Sequence, residues 1–87
     1  MIRQFVELPV FQKAWMRMGL TDDDLLALER RLLAKPKAGV VMQGSGGAKK
    51  VRFEAQGKGK QGGARIIYVD IVVSETIYLL PFIYFIT

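Results

Sequence analysis

The sequence predicts an α+β domain in which a helical pair covers one face of an antiparallel-rich sheet. Three observations carry that prediction. Apolar residues recur at helical spacing only in the first half of the chain, β-branched runs dominate the second half, and seven of the nine glycines fall between Gly44 and Gly63. Strands clustered after helices imply helices on one sheet face, and glycine density of this kind marks loops. With 87 residues there is room for one domain, spanning 1–87. A domain of this size buries only about 60–65% of the surface its unfolded chain exposes.

Residues Ile2 to Leu8 are rich in β-branched and aromatic types and read as a strand that stops at Pro9, a residue suited to the first turn of a helix. From there Phe11, Ala14, Trp15 and Met18 share one helical face, and Gly19 supplies a left-handed stop. Thr21 followed by Asp22, Asp23 and Asp24 starts a second helix, with a hydroxyl cap and carboxylates at the positive end of the helix dipole. These acids read as capping groups and not as catalytic ones. Leu25, Leu28 and Leu32 form its inner stripe, flanked by Leu26 and Leu33, while Glu29, Arg30 and Arg31 can face water. Pro36 ends it near Lys35.

In the second half, KKVRFE alternates, so Val51 and Phe53 point one way and Lys50 and Arg52 the other. After the loop AQGKGKQGG, the run ARIIYVDIVV is long enough for a central strand, and a turn through Val73 to Thr76 leads into TIYLL. The predicted order is β-α-α-β-β-β. Tyr68 lies opposite Arg65 on the strand and is expected to pack. Asp70 is the odd polar residue on that packing face, either at a sheet edge or paired with a cation.

The chain has no cysteine and no histidine, which removes disulfides, thiolate metal sites, Ser-His and Cys-His triads and zinc hydrolase chemistry. No cofactor and no metal are expected. The first residues do not read as a signal peptide, and the apolar stretch Ile77 to Ile86 is about half the ~20 residues a membrane helix needs. A cytoplasmic protein with no membrane partner is the expectation. Net charge is +5. All of it falls between Lys49 and Arg65, where six cations face the single acid Glu54; elsewhere seven cations balance seven acids. This is the footprint of a surface for a polyanion, set against the plainer reading of a solvated basic loop. GKGKQGG does not fit a phosphate-binding loop, because the spacing is wrong and no helix follows.

The combined pattern GSGGAKKVRFE and then GKGKQGGARIIY resembles the RelE/HigB family of toxins from toxin-antitoxin systems. The FVELPVFQKAW start and the helix in LTDDDLLALERRLLAKPKAG are similar to HigB-type members, so the likeness covers about residues 1–80. It implies a RelE-like fold and a metal-independent endoribonuclease that cleaves mRNA on the ribosome, inhibits translation and is neutralised by a cognate antitoxin. By position, Arg65 would clamp the scissile phosphate, Lys50 would act as base or oxyanion stabiliser, and Arg52 would be a second charge stabiliser. Lys49, Lys58 and Lys60 would hold RNA backbone phosphates. The chemistry suits the residue types, because preorganised Lys and Arg can stabilise the doubly charged phosphorane of RNA cleavage. The alternative is a catalytically degenerate toxin homologue that only binds antitoxin or RNA. A basic RNA-binding module is the third reading, and it would carry aromatics among its cations.

The resemblance breaks after the last predicted strand. Family members continue with a basic element and a helix, whereas this sequence reads IYLLPFIYFIT with no Lys or Arg after Arg65. Pro81 is expected to interrupt sheet pairing unless the strand is at an edge or begins anew. The apolar tail could replace the missing helix, drive self-association by pairing with a second chain, or mark a truncated or frame-shifted copy of the toxin.

Overall fold

The structure, a computed structural model, describes residues 3–54, 63–81 and 84–85. The chain runs β1 (Gln4–Glu7), α1 (Phe11–Arg17), α2 (Asp22–Ala34), β2 (Val40–Val41), β3 (Lys49–Phe53), β4 (Ala64–Ile71), β5 (Thr76–Leu79) and β6 (Tyr84–Phe85). The α+β class and the predicted order hold, with two short strands added. One is β2, which pairs with the start of β3, and the other is β6. The sheet order is β1-β5-β4-β3-β2, with β6 beside β4. Among these pairings β1 with β5 is parallel and the others are antiparallel.

Both helices pack on one sheet face because each buries a stripe. Phe11 and Trp15 of α1 and Leu28 and Leu32 of α2 are fully buried with Ile66, Tyr68, Ile77 and Leu79 of the sheet. Trp15 stacks on Phe11 with ring centroids 5.7 Å apart, and its indole N–H donates to the Thr21 carbonyl at 2.8 Å. That bond satisfies the one polar atom of the largest core side chain while tying α1 to the start of α2.

The start of α2 carries the predicted hydroxyl cap, and the Asp24 side chain adds a bond back to it that was not predicted. The Asp24 N–H donates to Thr21 Oγ1 at 3.1 Å and the Thr21 N–H to Asp24 Oδ2 at 2.8 Å, a reciprocal box. The start of α1 departs from expectation. Pro9 is not its first residue: Pro9 and Val10 form a turn, and Val10 takes the left-handed conformation at φ 60°. A β-branched residue there stores strain.

Asp70 pairs with Arg3, Nε to Oδ1 at 2.8 Å, both side chains almost wholly buried. This resolves the odd polar residue of β4, since an unpaired carboxylate there would carry a large desolvation cost. Strand β4 is shorter than predicted, because Val72 to Glu75 form the turn and Thr76 opens β5.

Pro81 acts as expected. Leu79 pairs with Tyr68, whereas Tyr84 pairs with Arg65, so pairing with β4 resumes two residues late, as a strand begun anew. The backbone of the tail therefore pairs within its own chain at Tyr84 and Phe85.

Candidate functional site

Alternation divides the sheet into two chemically distinct faces. Val51, Phe53, Ala64, Ile66 and Tyr68 face the helices, which turns Lys50, Arg52 and Arg65 to the other side. The register places Arg52 directly opposite Arg65. Because β2 ends opposite Lys50, the sheet edge is open at Arg52, and its carbonyl turns outward to accept from Arg31 Nη1 at 2.6 Å. Arg52 and Arg65 therefore form a narrow antiparallel pair, with Cα atoms about 4.5 Å apart. Like charges directly opposite each other destabilise a sheet. Arg65 adds a second cost: its Nε is buried and has no hydrogen-bond partner among the described residues.

Gly63 sets up this pair. It sits at φ 71°, and a Cβ on it would meet the Phe53 carbonyl at 2.5 Å, so only glycine lets β4 enter close against the end of β3.

A shallow cavity of about 400 Å³ is lined by Arg31, Ala38, Val40, Lys50, Val51, Arg52 and Arg65. Its loop wall is pinned by Tyr68, whose hydroxyl donates to the Pro36 carbonyl at 2.8 Å and accepts from the Gly39 N–H at 3.0 Å. Burial pushes the Tyr68 phenol above its ordinary range. A second cavity, of about 350 Å³, lies over the Arg3–Asp70 pair beside Lys35 to Ala38. It holds no member of the cluster, and its acid is already paired.

The structure brings Lys50, Arg52 and Arg65 together and adds Arg31, which the sequence had assigned to water. It does not bring Lys49 to them: Lys49 pairs with Tyr68, one residue out of phase, on the helical side. Lys58 and Lys60 lie outside the described residues. Among the described residues no group of three or more His, Cys, Asp or Glu is placed to hold a metal ion, and no helix is long and apolar enough to cross a membrane.

The class these features define is a small α+β domain with two helices on one sheet face and an arginine-lysine cluster on the other. The same fold is found in the solved structure of the E. coli toxin RelE, an arginine-to-alanine double mutant in the free state. The match has a TM-score of 0.61 and 17% identity, covering 91% of this chain and 79% of that one. No protein-family model matches the sequence.

Proposed function

We propose that the protein is the toxin of a toxin-antitoxin pair, a metal-independent endoribonuclease that cuts mRNA on the ribosome in the cytoplasm and is neutralised by a cognate antitoxin. The observation that carries this reading is the Arg52–Arg65 pair. Two guanidiniums opposite each other, one with a buried nitrogen that has no partner among the described residues, weaken the free fold. A bound phosphodiester offsets the repulsion by supplying negative charge between the two guanidiniums. The RelE fold and the sequence likeness of the second half support the same assignment.

In this reading the 2′-hydroxyl attacks the adjacent phosphorus and the 5′-oxygen leaves, giving a 2′,3′-cyclic phosphate and a 5′-hydroxyl. The phosphorane on the way gains a second negative charge. Arg65 and Arg52 would hold it bidentately; Lys50, on the same face, would take the 2′-proton as base or stabilise the oxyanion, and the leaving 5′-oxygen takes a proton from solvent. Arg31 holds β3 in place at the Arg52 carbonyl and adds charge to the same cavity. Lys49 is assigned only to peripheral phosphate contacts, with Lys58 and Lys60 proposed for the same role from the sequence.

A second reading is a homologue that binds antitoxin or RNA without cutting. It is favoured by the stretch from Ile66 to Thr87, which holds no Lys or Arg where the family's basic element is expected. Induced expression in bacteria separates the two. The nuclease reading expects growth arrest and loss of protein synthesis, both relieved by Arg65→Ala at equal protein level. Arrest that persists in Arg65→Ala, or no arrest from wild type accumulating in soluble form, contradicts it.

A further inference from the structure

The face that carries the cations is not cationic throughout. Beyond Arg52 and Arg65 it continues as Ile67 and Val69 of β4, Tyr78 and Leu80 on the β5 side, and Val6 of β1. Of the aromatic residues in β1 and in β3 to β5, Phe5, Phe53 and Tyr68 face the helices, and Tyr78 alone faces the other way. Its ring is partly buried, directly between Val6 and Val69 in the register. Ile77 and Leu79 on either side are fully buried in the core, so the strand cannot roll without exposing them. Tyr68 spends its hydroxyl on two backbone groups, whereas the Tyr78 hydroxyl has no hydrogen-bond partner among the described residues.

We propose that Tyr78 is the platform on which one RNA base stacks, a base subsite on the same face as the phosphate cluster. The inference rests on the RNA-cutting reading and deepens it by naming where a base goes. Tyr78 pairs with Val69, four residues along β4 from Arg65. At about 3.3 Å per residue that is about 13 Å along the strand, plus one strand spacing of about 4.8 Å across. The gap corresponds to roughly two or three nucleotides of an extended single strand. Between the two points lie Ile67, which is itself buried, and the half-buried Leu80, so no charge stands between the cluster and the ring. The arrangement is a stacking platform joined to an electrostatic funnel, the combination by which proteins hold single strands with little sequence preference.

The test is binding of a labelled single-stranded RNA oligomer, followed by anisotropy against salt. It uses wild type, Tyr78→Leu, Tyr78→Phe and Arg65→Met, with fluorescence of the buried Trp15 as the check of folding. Tyr78→Leu keeps apolar packing on Val6 and Val69 and is expected to weaken binding about tenfold, within the fivefold to hundredfold range typical of a lost base stack. Its salt dependence should match wild type, because no phosphate contact is lost. Tyr78→Phe should bind like wild type. Oligomers abasic at successive positions should show one position that costs affinity in wild type and nothing in Tyr78→Leu. Arg65→Met should instead flatten the salt dependence by about one phosphate contact. If Arg65→Met weakens binding and Tyr78→Leu does not, the base subsite is wrong and the RNA reading stands. If neither changes it, the RNA reading itself fails. A Tyr78→Leu variant that binds RNA normally but changes its sedimentation would mark the face as a protein contact and overturn the proposal.

Discussion

Replacing Arg65 by methionine should stabilise the protein while removing the residue most directly tied to its function. Methionine keeps an unbranched apolar stem of similar reach on β4 but removes both costs of the arginine. At about 5 Å two like unit charges repel by about 0.8 kcal/mol in water and about 3 kcal/mol at an effective dielectric of about 20. Arg52 is exposed, so the lower figure applies. The buried Nε of Arg65, with no partner among the described residues, contributes about 1–3 kcal/mol more as an unmet donor. Loss of favourable solvation of the exposed part of the guanidinium offsets some of this, leaving an expected gain of about 1–2 kcal/mol. For a domain of this size that is an increase in Tm of roughly 4–15 °C. Urea titration at low and high salt reads the two contributions separately. Wild type should gain stability with salt as the Arg52–Arg65 repulsion is screened, and Arg65→Met should gain less. A variant that is less stable than wild type, with unchanged salt response, would refute the view that this pair is held at a cost to the fold.

Three further outcomes follow from the fold. Val10→Gly should stabilise by about 1 kcal/mol in thermal melts, because glycine relieves the left-handed strain at φ 60° and Val10 is exposed. Asp70→Ala should cost about 3–5 kcal/mol in urea titration, a large share of the total, by leaving Arg3 buried and unpaired. The double change Arg3→Met with Asp70→Leu should recover most of it. Burial, and then the nearby Glu7, push the Glu29 carboxyl above 4.5. The folded state thus holds this proton more tightly than the unfolded chain, and stability falls as pH rises from that value through the folded pKa. Glu29→Gln should therefore be more stable than wild type at neutral pH, with the advantage gone well below 4.5.

The elements written in local signals were legible in the sequence. The Thr21 hydroxyl cap, the leucine stripe of α2 and the alternation of β3 each depend on residues a few positions apart, and each appears where expected. Partners set by tertiary distance were not legible. Arg3 and Asp70 are 67 residues apart in sequence, and nothing local names one as the partner of the other. Arg31 borders the apolar stripe of α2, and only the docking of that helix beside the open edge of β3 turns it to the Arg52 carbonyl. The two-residue strand β2 is too short to leave a periodic signal. Lys49 is a different case, because the alternation that set Lys50 and Arg52 outward already grouped Lys49 with Val51 and Phe53. The pairing of Arg52 with Arg65 needed the register, which the length of the intervening loop leaves free.

The most direct measurement of the central claim is mRNA cleavage in a purified translation system, mapped by primer extension, with wild type beside the folded Arg65→Met variant. The account expects cuts within the codon being decoded for wild type, ends bearing a 2′,3′-cyclic phosphate, and no cuts from the variant despite its greater stability. Equal cutting by both proteins, or none by folded wild type on translating ribosomes, would contradict it.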